Sequence, residues 1–273
     1  MTLEDHVGDV LRKARESLAI PVESAARAAG LSVSDYRMLE TDGRPMAQVD
    51  FAALGARLNL DGAKLAGIAA GWLPGPPDLN RWRRLRVIRT TLEDNTVNSF
   101  LAWDEASREA ALFDTGWDDA PGRSWIAEEQ LDLRHLFLTH HHEDHVAALD
   151  AWRRRFPSLL VHGNPPDTPP TQRSGSPDPV PLGRLQIAQR DTPGHSEDGA
   201  TFVITGFPDG APAVAVVGDA LFAGSMGRGF FSTPMLHRNV REQILSLPPE
   251  TLICPGHGPL TTVAQEIEHN PFF

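Results

Sequence analysis

Four imidazoles and two carboxylates fall within six consecutive residues, His140-His141-His142-Glu143-Asp144-His145. They contain the pattern H-x-H-x-D-H and follow Leu136-Phe137-Leu138-Thr139, an apolar run that reads as a buried strand. In a purely structural segment so many polar donors would repel and desolvate one another. A divalent cation removes the conflict, because imidazole nitrogen and carboxylate oxygen are suitable ligands for Zn, Fe or Mn. A solvated histidine tract is the plainer reading, and it fits poorly directly after a core strand.

Three more ligand-type residues close apolar segments downstream. They are His195 in Thr192-Pro193-Gly194-His195-Ser196, Asp219 in Val216-Val217-Gly218-Asp219, and His257 in Cys254-Pro255-Gly256-His257-Gly258-Pro259. A glycine beside each lets the backbone turn sharply and bring the side chain to a shared sheet edge. Any one alone reads as a turn residue; joined to the cluster, the three predict a metal centre.

In that order the segments T-H-H-H-E-D-H, T-P-G-H-S, V-G-D-A-L-F-A-G-S-M-G-R and P-G-H-G-P-L-T-T resemble the metallo-β-lactamase superfamily. Closest in appearance are its short glyoxalase II-like hydrolases, which typically also end in a sequence like Glu268-His269-Asn270-Pro271-Phe272-Phe273. The resemblance covers residues 86–273 and implies an α/β fold, an αβ/βα sandwich with the metal site at one edge. Carried over residue by residue, it implies His140, His142 and His195 around one divalent ion, Asp144, His145 and His257 around a second, and Asp219 bridging both. Zinc is expected, with iron or manganese as alternatives. Two cations would bring a bridging water near neutrality in pKa, giving hydroxide as nucleophile. Asp144 is the expected catalytic group, orienting that nucleophile and passing a proton to the leaving group.

The implied activity is hydrolysis of a small-molecule thioester, acyl-glutathione-like, with lactones and other esters open. Full-length glyoxalase II enzymes continue into a helical segment that helps bind glutathione, whereas this sequence stops at Phe273, so the thiol carrier is open. Two other readings stand beside it. One is a mononuclear iron persulfide dioxygenase, in which residues matching His140, His195 and Asp219 hold the iron. The other is a transcription regulator whose hydrolase-like part senses a ligand. The retained His257 and the G-D-A-L-F-A-G-S context favour the hydrolase.

Weaker expectations attach to the neighbours. His141 and Glu143 read as spacers, and His135, His162, His237 and His269 as surface or packing residues. Asp114, in Phe113-Asp114-Thr115-Gly116, is expected to support the ligands from behind. Arg228, between two glycines, is expected either to bind a substrate carboxylate or to form a structural ion pair. Cys254 reads as a small buried apolar residue.

Positioning these residues requires a sheet framework. Strands are expected over 86–90, 97–103, 110–114, 134–139, 159–162, 185–190, 201–205, 213–218 and 251–254, and helices over 123–131, 145–156, 234–247 and 262–269. Residues 163–183 read as a long exposed loop. Residues 1–73 form a separate all-α domain of five short helices, and 74–85, opening with Pro74-Gly75-Pro76-Pro77, a linker. Leu11-Arg12-Lys13-Ala14-Arg15, Ala25-Ala26-Arg27-Ala28-Ala29-Gly30-Leu31, Tyr36-Arg37-Met38-Leu39-Glu40 and Gly43-Arg44-Pro45 resemble the phage-repressor type of helix-turn-helix. Its eight basic and ten acidic side chains make that domain a poor stand-alone DNA binder, so DNA binding through 1–73 and homodimer assembly weigh equally.

The net charge of −11 argues against a nucleic-acid-coating protein. Cys254 is the single cysteine, which excludes an internal disulfide and suits a reducing compartment. No signal-like start or membrane-spanning apolar run is present, so a soluble cytoplasmic protein with no membrane partner is expected.

Overall fold

A computed structural model describes residues 2–44, 48–165 and 178–273. The Gly43-Arg44-Pro45 segment of the repressor-like motif and the expected loop over 163–183 therefore lie partly outside the described residues.

Two sheets carry the predicted strands. The first contains β1 (Leu85–Leu92), β2 (Asn95–Trp103), β3 (Glu109–Phe113), β4 (Asp132–Phe137) and β5 (Leu160–His162) in sequential order. Its first three strands pair antiparallel, and β3–β4 and β4–β5 pair parallel. Parallel neighbours need crossovers. These are α6 (Ala120–Glu128), then α7 (Glu143–Val146) with α8 (Leu149–Arg155).

The second sheet contains β6 (Val180–Leu182), β7 (Leu185–Asp191), β8 (Ala200–Thr205), β9 (Val214–Gly218), β12 (Leu252–Pro255) and β13 (Thr261–Thr262). Their order is β13-β12-β9-β8-β7-β6, with β9–β12 the parallel pair. A small hairpin, β10 (Leu221–Phe222) with β11 (Ser225–Met226), follows β9. Then come α9 (Thr233–Asn239) and α10 (Val263–His269).

Burial follows from strand alternation. Phe100, Phe113 and Phe137 of the first sheet meet Phe202, Val216 and Cys254 of the second in the core between the sheets. Leu101, Trp103, Leu112 and Leu136 point the other way and pack with Ile126 and Trp152 under α6 and α8. Both faces are thus covered at the end of β2, over Phe100–Trp103, and at the end of β4, over Leu136–Phe137, which explains the apolar runs there. The result is the expected layering of helix, sheet, sheet and helix.

Five helices precede the sheets: α1 (Val7–Ser17), α2 (Val22–Ala29), α3 (Val33–Asp42), α4 (Phe51–Leu58) and α5 (Gly62–Ala69). Side chains of Ser32, Asp50 and Asp61 cap the last three, and Gly30 ends α2 with φ +71°, which costs glycine nothing. Arg15 grips Glu40 with two hydrogen bonds of 2.6 and 2.9 Å, tying α1 to α3. These helices share one apolar core with the outer face of the second sheet: Val7, Leu11, Tyr36, Leu54 and Leu65 cluster with Val217, Leu236, Val240 and Phe272. Hydrogen bonds add to it, the Asp61 amide donating to Pro271 O at 2.8 Å and the Lys64 ammonium to Ile267 O at 2.7 Å.

Several expected elements differ in detail. The helix expected over 145–156 is broken between α7 and α8, because the Ala148 amide turns to Gly116 O and Thr115 Oγ1. The helix expected over 234–247 ends at Asn239 and passes into a π-helical turn at Val240–Ile244. After the proline-rich stretch, a 3-10 turn at Leu79–Trp82 buries Trp82, whose Nε1 donates to Pro212 O at 2.8 Å.

Candidate metal centre

Beyond β4 the backbone leaves the strand, held by Asp114, which accepts from the Thr139 amide and hydroxyl, both at 2.8 Å. Asp114 itself adopts φ +55°, a left-handed conformation that aspartate tolerates better than most residues. His140 then points inward and is buried, while His141 turns outward, its Nδ1 2.5 Å from Asp198 Oδ2. His142 begins α7, which delivers Asp144 and His145 within one turn.

The other three residues arrive at ends of second-sheet strands. His195 follows β7, Asp219 follows β9 at Gly218 (φ +52°), and His257 follows β12. Three groups have their ligand atoms within 4.8 Å of one another: His140 with His142 and His195, His140 with His145 and Asp219, and Asp144 with His145 and His257. All seven predicted ligands thus converge. Asp219 is central: one of its oxygens lies 3.3 Å from His145 Nε2, and the other 3.6 Å from His195 Nε2 and 3.5 Å from His257 Nε2. Gly256 is required here, since a Cβ on it would lie 2.3 Å from Asp219 Oδ1 and 2.6 Å from the His145 ring.

The imidazoles are aimed from behind. His145 Nδ1 meets Asp114 Oδ2 at 2.8 Å, His195 Nδ1 meets Arg228 O at 2.8 Å, and His257 Nδ1 meets Thr96 O at 2.7 Å. Each of those contacts fixes the ring and leaves Nε2 facing the centre. Asn98, a polar residue inside an apolar strand, supports the His257 loop by donating to Pro255 O and Gly258 O.

Three buried atoms at the centre, His140 Nε2, His145 Nε2 and Asp219 Oδ1, make no hydrogen bond of good geometry, the last two facing each other only across 3.3 Å. Each unsatisfied buried polar atom costs on the order of 1–3 kcal/mol, so three aimed at one point need a common partner. A divalent cation suits this nitrogen and oxygen donor set.

The electrostatics agree. Burial drives His140 well below the usual histidine range. For His145 burial acts the same way, but the Asp114 and Asp219 carboxylates outweigh it and hold the ring well above that range. Burial would lower His257, but its bond to Asp144 together with the Asp219 and Glu4 charges pushes it up to about 9. Burial would raise Asp219, yet the surrounding imidazoles keep it well below the carboxylate range. Protons held by His145 and His257 are those a cation would displace.

A cavity of about 920 Å³ opens onto this centre. Phe230 forms part of its wall, edge-on to His142 and His195. Arg228 also lines it, and its guanidinium pairs with Glu16 of α1 at 3.0 Å, so it is both a cavity residue and an ion-pair partner. The remaining histidines lie elsewhere: His135 bonds His162 at 2.9 Å, His237 bonds Phe272 O, and His269 packs on Trp72. Cys254 is buried, and its thiol is pushed up by burial. Reading the sequence missed Thr139, Asp198, Thr96 and Asn98 as supports; backbone acceptors leave no trace in residue type, and the signal that could have found Asn98 is a polar residue inside an apolar strand.

The profile of the metallo-beta-lactamase superfamily matches residues 92–257, which span the whole constellation. The chain belongs to the metallo-beta-lactamase superfamily. It is 36% identical over 172 residues to a hydroxyacylglutathione hydrolase of Fuscovulum blasticum, a match covering 61% of this chain and 63% of that protein. The chain thus spans less than two thirds of that relative's length. It is 30% identical over 195 residues to hydroxyacylglutathione hydrolase GloC of Haemophilus influenzae, covering 64% and 92% respectively. The crystal structure of ETHE1 from Myxococcus xanthus superposes with a TM-score of 0.57 at 29% identity, covering 68% of this chain and 83% of that one. Helices α1–α5 lie outside the superfamily match.

Proposed function

We propose that the protein is a binuclear metallohydrolase that cleaves small-molecule thioesters of the acyl-glutathione type. The observation that carries this reading is Asp219, whose two oxygens face ligand groups on both sides of it. His140, His142 and His195 would hold one divalent ion, Asp144, His145 and His257 the other, with zinc the first choice. When bound, such a pair supplies Lewis acidity and a water acidic enough to attack a carbonyl near neutral pH. Asp144 reaches the cavity and bonds His257 at 3.1 Å; burial would raise its carboxyl, but that bond and the His145 and His257 charges hold it below the usual carboxylate range. In that position it orients the attacking water, accepts a proton from it, and returns that proton to the departing thiolate as the C–S bond breaks and the C–O bond forms. Phe230 offers an apolar ring beside His142 and His195 for the acyl half of the substrate.

The test pairs elemental analysis with turnover. Two divalent ions per chain and hydrolysis of acyl-glutathione are expected, and His142→Ala should weaken one position and abolish turnover. Near-normal turnover by that variant would refute the two-metal reading. The likeness to ETHE1 keeps a persulfide dioxygenase as second reading. One iron per chain, with oxygen consumed on glutathione persulfide and no thioesterase activity, would establish it instead.

For residues 1–73 the repressor-like motif favours a DNA role, while the shared core and the slightly acidic balance favour a structural one. We take the latter, with 1–73 a helical domain joined through 74–85 to a catalytic domain at 86–273 in a cytoplasmic enzyme. Sequence-selective mobility shift by the full chain at stated salt would reverse this. Light scattering would show whether the helices also pair two chains.

A further inference from the structure

The cavity over the metal centre has a wall that the superfamily match does not contain. Leu3, Glu4, Asp5 and Lys13, all from the amino-terminal helical segment, line it together with the metal-site residues. That segment is seated directly on the ligand loops. Gly258, next to His257, has φ +73°, and a Cβ there would stand 3.0 Å from the Glu4 amide nitrogen. The ion pair from Glu16 to Arg228 joins α1 to the residue whose carbonyl aims His195.

Lys13 is the wall's most constrained cation. Its ammonium bonds Asp5 Oδ2 at 2.5 Å and Met226 O at 3.0 Å and sits 5.2 Å above the Phe222 ring. An ammonium has three N–H groups, and protein oxygens take two of them. Arg89 enters the same cavity from β1; it donates to Asn98 and has no carboxylate partner among the described residues. Glu4, Glu93 and Asp94 also line the cavity, and their charge opposes a highly anionic ligand.

We propose that the helical segment is the substrate-selecting wall of this cavity, and that Lys13 and Arg89 together hold a single carboxylate on the thiol half of the substrate. The acidic residues of the rim exclude phosphate-rich thiols. This rests on the thioesterase reading above.

Binding to the metal-loaded full chain tests it without turnover. Calorimetric titration with 3-mercaptopropionate and with its methyl ester compares two thiols that differ in one charge. The acid should bind about tenfold tighter, as one charge-assisted contact allows. The preference should fall below about threefold in Arg89→Gln and in the double variant Asp5→Asn with Lys13→Met, which strands no buried carboxylate. Lys13→Arg should retain most of it. Arg89 is exposed, so its variant keeps the fold and the test stands even if the double variant does not. Equal binding of acid and ester by the parent protein, an undiminished preference in Arg89→Gln, or tighter binding of coenzyme A than of 3-mercaptopropionate would overturn the proposal. Absence of thioester hydrolysis by a sample that still shows the preference would instead sink the thioesterase reading and leave the wall intact.

Discussion

The floor and the wall of the cavity are built differently. The floor is a set of buried rings, three of them fixed from behind by a carboxylate or a backbone carbonyl, with a glycine at the point where a Cβ would collide. The wall is held by side-chain contacts between distant parts of the chain, Glu16 to Arg228 and Lys13 to Asp5 and Met226. The three supported rings of this floor have one arrangement, because each is held at Nδ1 and leaves only Nε2 facing the centre. The Glu16–Arg228 pair tolerates substitution, because a substantially exposed pair contributes little, whereas Lys13 and Asp5 are largely buried and depend on each other. The difference suits chemistry that is fixed below and selected above.

The contrast can be broken most severely at Asp219. Asp219→Ala removes the group shared by both sides and should lower metal content at both positions and cut turnover by at least about a thousandfold. Retention of two metals would show that the floor is not a single unit. Next is Asp114→Asn, which touches no substrate. It should weaken metal affinity by roughly 10- to 100-fold by freeing His145 and Thr139, measured by chelator competition, while KM changes little.

A smaller effect is expected where wall and floor join. Glu266 of α10 accepts from Gly224 N, Thr261 and Asn270, holding the β10–β11 hairpin that carries Met226. Burial pushes its carboxyl from the ordinary 4.5 up to about 7. The folded state therefore keeps a proton that the unfolded chain releases. That contribution to stability is full below 4.5 and is lost as pH rises through about 7, amounting to a few kcal/mol at most. Glu266→Gln should flatten the fall in Tm between pH 5 and 8, and an unchanged slope would count against it. Least of all, Glu16→Gln should change stability by less than about 1 kcal/mol, since that pair is substantially exposed. A larger loss by denaturant titration would make the wall as rigid as the floor.

Much of the floor was legible in sequence. His140, His142, Asp144 and His145 lie together in one segment, and His195, Asp219 and His257 each follow a strand and a glycine, so residue type and spacing carried the signal. The strands of the two sheets were readable where both faces are apolar. Strands of two or three residues, such as β10, β11 and β13, are too short to show a period. The break between α7 and α8 depends on Thr115 and Gly116 taking an amide from another segment, which no local propensity records. The wall was least legible. Lys13 and Glu16 look like ordinary polar positions on an amphipathic helix, and their role depends on where that helix docks.

The apolar cluster containing both Val7 and Phe272 has a consequence for how the protein is made. Synthesis proceeds from the amino end, so helices α1–α5 emerge while most of the surface they pack against is still untranslated. Their burial is complete only after Phe272 has been made, and closing a contact across so long a separation in sequence is slow relative to local helix formation. During that interval the apolar residues that α1 and α5 bury against the second sheet stand uncovered, the kind of surface through which unfinished chains associate.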